Sequence, residues 1–399
     1  MESTFPVDAI INSTKELFKG SSSAPFSLHE PWFEDTQAWA NVKDCLDTGW
    51  VSSGGKWVND FEKKICEYTG AKFAIAVTNG TVALRLALHL VGVRDNDEVI
   101  IPPLSFVATA NAIKHLGAHP HFVDIESNSL GMCPELLSHW LDNVAEKTSK
   151  GVFNKSTQRR ISAVLPVHVF GHPARIERLN AICSEWGLPV VEDAAEALGS
   201  FVGKTHCGRF GKVGIFSFNG NKIITAGGGG ALITDDPDLA LRAKHLSTTA
   251  KIPHPWNFFH DEIAWNDRMP NLNAALVVAQ LADINKRISL KQSLHAIYTK
   301  AFAHINEIRV LQPSSRVHWN HWLITMYIDL DDDVEVIQVR DQLLKSLHDQ
   351  KFMSRPVWQP LHTLPMFTDC PKSCLEICSH YALRLINLPS SPQLVQQIS

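Results

Sequence analysis

From Lys72 to Asp236 the chain alternates short apolar runs with helical stretches, and no other feature constrains its fold as strongly. "KFAIAVT", "DEVIIPP", "HPHFVDI", "ISAVLPVHV" and "LPVVEDAA" read as strands, being short, apolar and rich in β-branched residues. "TVALRLALHLVG", "FVATANAIKHLG", "CPELLSHWLDNV" and "ARIERLNAICSEWG" read as the helices between them. Such alternation predicts a parallel sheet covered by helices on both faces. "VGIFSF" and "GGALITDD" then follow as two strands close in sequence, so the pattern changes there. Upstream, "DTQAWANVKDCLDTG" reads as a helix ending at Gly49. "NDFEKKICEYTG" reads as another, with Phe61, Ile65 and Tyr68 on one face and Gly70 as its stop. Downstream, "NLNAALVVAQLADINKRISLKQSLHAIYTKAF" is helical and long enough to bridge two domains, and "WLITMYIDL", "VEVIQVRDQLLKSLHDQ" and "ALRLINLPSS" suggest a smaller α/β unit. The expected division is an N-terminal extension over 1–30, with the helix "DAIINSTKELF" and the Ser-rich break "GSSSAPFS", a large domain over 31–285 and a small C-terminal domain over 286–399.

With 399 residues, 45% of them hydrophobic, the chain can bury a large core. A net charge of −4, with no basic run and no acidic tail, gives no sign of a nucleic-acid partner. The start "MESTFPVDAIINSTKELF" lacks the order of a signal peptide, and no apolar run approaches the ~18 residues that span a bilayer. A soluble, cytoplasmic protein with no membrane partner is expected. Eight scattered cysteines suit reduced thiols. Cys370, Cys374 and Cys378 recur every four residues and would share one face of a helix, with His380 nearby. That face reads either as a soft-metal site or as small, semi-apolar packing surface. The paired ligand gaps of zinc sites are missing, so no metal is expected.

Four stretches could carry chemistry. In "VTNGTVALRLAL" a strand ends, Asn79-Gly80 turn and Thr81 opens a helix. Unpaired amides and the helix dipole there favour an anion such as phosphate, and Gly80 permits close approach. The plainer reading is a connection capped by Thr81. In "PVVEDAAEALGS", Asp193 stands at the C-terminal end of a strand, where open parallel sheets bind ligands. Asp193 with Glu196 also fits a capping-box variant. In "SFNGNKIITAGGGG", Lys222 lies beside a strand end and a glycine run. Desolvation could make it a nucleophile. It does not fit a phosphate-binding loop, because Ile223 follows it and the glycines lead into a strand rather than a helix. In "PPLSFVATANAIKH", Phe106 is either core or a stacking face for a flat ligand, and Trp358 in "RPVWQPLH" is equally open.

In this order the four stretches resemble the pyridoxal-phosphate-dependent aminotransferases of nucleotide-linked keto-sugars, the DegT/DnrJ/EryC1/StrS family. The resemblance runs from about Leu28 to Pro392, and the block "SFNGNKIITAGGGG" carries it most specifically. "SLHEPWF", "GWVSSGGKWVNDFE", "RPVWQPLHTLPMF" and "INLPSSP" look like the LegC-type branch, which serves pathways to legionaminic acid and bacillosamine. The resemblance implies a fold-type I, aspartate-aminotransferase-like α/β fold with a mostly parallel central sheet and a smaller C-terminal domain. It implies pyridoxal 5′-phosphate as cofactor, Lys222 as the Schiff-base and proton-shuttling residue, and Asp193 as partner of the pyridine nitrogen. It places the cofactor phosphate on Gly80, Thr81 and Ser217, and the ring on Phe106. Asn266 in "AWNDRMPNLNAA" matches an asparagine given by the neighbouring subunit, which implies a homodimer with shared sites.

Glu196 departs from the family, where His or Gln is commoner and hydrogen-bonds the cofactor's phenolic oxygen; a carboxylate there must be protonated or turned elsewhere. Gly228 replaces the commoner glutamate of the glycine run. The implied reaction moves the amino group of L-glutamate to C4 of a nucleotide-linked 4-keto-6-deoxy sugar. The branch favours UDP-4-keto-6-deoxy-GlcNAc, with GDP- or dTDP-linked, perosamine-type substrates as the alternative. Arg355, Trp358 and His362 suit a sugar or diphosphate, or else the packing of an Arg-Pro turn. Related dehydratases carry histidine in place of the lysine, which Lys222 argues against. A non-catalytic regulator would need a basic module that is not visible here.

Overall fold

The structure is a computed structural model that describes residues 5–19, 25–34, 36–314 and 316–398. Its central sheet contains strands β1 (Phe73–Val77), β2 (Glu98–Ile101), β3 (His119–Phe122), β4 (Arg160–Val164), β5 (Val191–Asp193), β6 (Val213–Ser217) and β7 (Gly230–Thr234). Their order is β3-β2-β4-β5-β6-β7-β1. Two hydrogen-bonded ladders join through the parallel bridges Val164–Val190 and Val167–Asp193. The pairs β2–β3, β2–β4 and β5–β6 are parallel, while β7 runs antiparallel to both β6 and β1. The expected mostly parallel sheet is therefore present, and β7 reverses at the predicted change of pattern. Strands β2, β5 and β7 are buried throughout, as strands between two helical layers are, and they bury the acidic residues Glu98, Glu192 and Asp193 along with their apolar ones.

The helices Gly80–Leu90, Ala108–Lys114, Pro134–Val144 and Ile176–Trp186 follow β1 to β4. Each therefore begins on the edge where the strands end, and the candidate residues gather there. Helices Ala38–Thr48 and Lys56–Thr69 end at Gly49 and Gly70, both left-handed.

Three features differ from the sequence reading. A hairpin, Ala145–Thr148 with Gly151–Asn154, extends the sheet beside β4, where solvent exposure had erased any apolar alternation. The long helical stretch is two helices, Asn271–Leu281 and Ile284–Phe302; at the break, Asp283 donates its amide to Gln280 O at 3.1 Å. The cysteines do not share a helix face: the helix spans Glu376–Arg384, after Cys370 and Cys374, and only Cys378 is on it and buried.

Beyond residue 302, Ile308–Val310, Ile324–Ile328, Leu385–Leu388 and Arg355–Pro356 form an antiparallel sheet. The helix Val7–Leu17 lays Ile10 and Ile11 into the same apolar cluster as Leu294, Tyr298, Leu343 and Leu388. Residues 20–24, in the expected Ser-rich break, lie outside the described residues. A short hairpin, Lys251–Ile252 with Phe259–His260, carries exposed Trp256, Phe258 and Phe259, and Ile263 is exposed just beyond it. Among the described residues no helix is long and apolar enough to cross a membrane.

Candidate active site

The C-terminal edge of the sheet opens into a cavity of about 320 Å³. Gly80, Thr81, Phe106, Asp193, Glu196, Ser217, Lys222 and Trp358 all line it, so eight separately expected residues meet in one place. Asn79, Ser105, Thr109, Val167, Asn221 and Trp322 line it as well.

β1 leads into the helix Gly80–Leu90, and Asn79, not Thr81, caps that helix: Asn79 Oδ1 accepts from Val82 N at 2.9 Å. Asn79 O accepts from Ala83 N at 3.1 Å. Of the four amides that open the helix, those of Gly80 and Thr81 remain for an anion. Only glycine fits at 80, since a Cβ would stand 2.9 Å from Ser217 Cβ. The two amides and Ser217 thus line the same cavity.

β5 ends at Asp193, whose carboxylate is almost fully buried. Oδ2 accepts from Thr109 Oγ1 at 2.8 Å and Oδ1 from Ala195 N at 3.2 Å. No helix follows, so the capping-box reading fails and the carboxylate faces the cavity. Burial pushes its carboxyl up, while Thr109, the Ala195 amide and Lys222 pull it back. Phe106, half-exposed, and Val167, buried, offer apolar faces in the same cavity.

Lys222 lies on the loop between β6 and β7. Phe218 and Gly229 pair at 2.8 Å, and Asn273 Nδ2 holds Ala226 O and Gly228 O at 2.7 and 2.8 Å. Gly227 is left-handed, and a Cβ at Gly230 would come within 2.4 Å of Asn79 O. The glycines therefore shape the return into β7 rather than cradle phosphate. The Lys222 Nζ sits 3.3 Å from Glu196 Oε1 and 4.1 Å from the centre of the Trp322 ring. Trp322 in turn donates its Nε1 to Asn221 O at 2.8 Å.

Glu196 is buried, and its Oε2 accepts from Phe170 N at 2.9 Å. Phe170 has φ 56°, and Gly171 has φ 81° with no room for a side chain beside Glu196 O. Burial raises the Glu196 carboxyl; Lys222 opposes this, and Asp193 adds to it.

Three expected residues lie elsewhere. Arg355 is exposed and contacts His348 Nε2 at 3.2 Å, and His362 packs edge-on against Phe122. Neither lines the cavity, although Trp358, between them in sequence, does. Asn266 is exposed and outside this chain's own cavity. Of the residues that sequence reasoning missed, Thr109 stands three positions after Phe106, a signal that was available. Trp322 arrives from the lead into Ile324–Ile328, a hundred residues from Lys222, and no local pattern marks it.

A family model described as the DegT/DnrJ/EryC1/StrS aminotransferase family matches residues 33–398. The chain is 38% identical to a GDP-perosamine synthase of Vibrio cholerae over 88% of its own length and 90% of the relative's. It is 36% identical to a GDP-perosamine synthase of Escherichia coli O157:H7, with the same coverage of both chains, 88% and 90%. The crystal structure of the aminotransferase TlmJ from Streptoalloteichus hindustanus superposes with a TM-score of 0.82 at 25% identity, covering 94% of this chain and 96% of that one.

Proposed function

Because the chain belongs to the DegT/DnrJ/EryC1/StrS aminotransferase family and is a pyridoxal-phosphate-dependent sugar aminotransferase, we propose that it aminates C4 of a GDP-linked 4-keto-6-deoxy sugar. The observation that carries the chemistry is the meeting of Lys222, Asp193 and the Gly80–Thr81 helix start in one cavity. Pyridoxal phosphate, when bound, supplies an aldehyde and an electron-withdrawing ring. Lys222 would hold the cofactor through its aldehyde and, with its amine free, would move a proton at the reacting carbons. Asp193, fixed by Thr109 and Ala195, would hold a proton on the ring nitrogen of the bound cofactor. The amides of Gly80 and Thr81 and the Ser217 hydroxyl bind the phosphate. Phe106 and Val167 would pack on the faces of the ring and exclude water.

The GDP preference rests on the relatives named GDP-perosamine synthase. The LegC-like motifs favour a UDP-linked substrate instead, and we rank that reading second. L-Glutamate is the proposed amino donor. Exposed Asn266 completes the phosphate site of a partner subunit in a homodimer.

Two experiments test the reading. Borohydride treatment of the purified protein should fix the cofactor to Lys222, and a Lys222→Ala protein that still transaminated would overturn the assignment. Turnover of GDP-, UDP- and dTDP-linked 4-keto-6-deoxy sugars with glutamate should favour GDP; preference for UDP would select the second reading.

A further inference from the structure

Three ionisable groups line the cavity: two carboxyls, Asp193 and Glu196, and one amine, Lys222. Their surroundings separate the two carboxyls. Asp193 accepts a hydroxyl and an amide hydrogen bond, and both favour its ionised form. Glu196 has one amide donor, Phe170 N, on Oε2. Its Oε1 is turned to the cavity, with Lys222 Nζ as its partner. That partner is taken away whenever the lysine nitrogen is engaged in chemistry.

The charged groups that face Glu196 are Lys222, from the loop between β6 and β7, and Asp193, at the end of β5. The other neighbours are neutral. Asn320 donates to Glu196 O at 2.7 Å, and the 169–171 turn presents the Phe170 amide. A left-handed phenylalanine costs about 1–2 kcal/mol, so the fold holds that amide in place at some expense.

Amination of a ketone exchanges C=O for a carbon–nitrogen bond and releases the oxygen as water, so a proton must reach that oxygen. We propose that Glu196 is the acid of this site: its neutral carboxyl gives the Oε1 proton to the keto oxygen of the sugar, while Asp193 stays ionised throughout. The amine nitrogen adds to the carbonyl carbon as the keto oxygen takes the Glu196 proton and becomes a hydroxyl. One N–H proton passes to the Glu196 carboxylate, which delivers it to that hydroxyl; the C–O bond breaks with its electron pair on oxygen, water leaves, and the nitrogen lone pair closes the C=N bond. The second N–H proton then restores the Glu196 carboxyl, so no net proton is drawn from solvent. Two carboxyls with environments that push them apart mark such an acid–anion division. Burial raises both carboxyls; Thr109 and the Ala195 amide oppose it at Asp193, while the charge of Asp193 adds to it at Glu196. This inference rests on the aminotransferase reading above.

The test compares Glu196→Gln and Glu196→Asp with the wild type over a range of pH. The glutamine variant should lose about 100-fold or more in kcat with a much smaller change in KM. Its kcat profile should lack the alkaline limb that wild type shows as Glu196 ionises. The aspartate variant should recover part of both. Difference infrared spectra of the loaded wild type should contain a protonated carboxyl band that fades along the alkaline limb. A glutamine variant with wild-type kcat, or one that keeps the limb, would overturn the inference. So would the absence of that band, a readout that does not depend on any variant folding. Borohydride labelling separates the two levels: no label on Lys222 in wild type defeats the functional reading, whereas label without these pH effects defeats only the role of Glu196.

Discussion

Gly80, which lines the cavity, and Gly228, in the glycine run that follows Lys222, should respond differently to alanine. At 80 a Cβ stands 2.9 Å from Ser217 Cβ, whereas at 228 it meets only Thr78 O at 3.8 Å. Gly80→Ala should cost about 1–3 kcal/mol in stability and weaken cofactor retention, while Gly228→Ala should stay within about 0.5 kcal/mol; urea unfolding and cofactor titration read both. Thr109→Val removes a hydrogen-bond donor from Asp193 and should raise its carboxyl further. The acid limb of the kcat profile should move to higher pH. A profile identical to wild type would show that Thr109 does not tune Asp193. At this scale the sequence was informative where a residue's neighbours are its own flanking residues. Lys222 sits in a specific block, and Asp193 closes an apolar strand. Thr109, Val167 and Trp322 gain their importance only when separate segments converge, and no single stretch records that.

Elements were legible where burial imposes a period. Every central strand sits between helices, so its apolar run survives in the sequence. The hairpin Ala145–Asn154 is exposed on one strand and left no such trace. The break at Asp283 also escaped, since neither Gly nor Pro marks it. The N-terminal helix Val7–Leu17 was visible, but not its destination in the cluster with Leu294 and Tyr298. Ile10→Ala should therefore cost about 2–5 kcal/mol, because Ile10 is fully buried there. Denaturant unfolding measures this, and a neutral result would mean that the helix docks only loosely. Asn79→Ala should remove about 1 kcal/mol of helix capping.

For the whole molecule, two expectations concern assembly and acid. Asn266 and Lys222 serve different cavities in the proposed homodimer. Mixing inactive Lys222→Ala and Asn266→Ala proteins under subunit exchange should restore activity, because one site of each mixed dimer is then intact. No recovery would argue against shared sites. His172 and His206 are buried, and burial holds each down to about 4 from the ordinary 6.5. The unfolded chain thus takes up protons that the folded chain refuses, so this stability is whole above pH 6.5 and is lost as pH falls toward 4. The loss is on the order of 3 kcal/mol per histidine, and unfolding midpoints measured across that window should show it.

The reversal of β7 has a kinetic consequence. Because β6 leaves the edge of the sheet and β7 re-enters at the same edge, the segment bearing Lys222 is moored at both ends by ladders buried in the core. In the proposed reaction its amine would remain a tethered reactant whenever it is free, at an effective concentration that no amine in solution can match. Amines in the surrounding medium would then compete poorly for the site that Lys222 occupies.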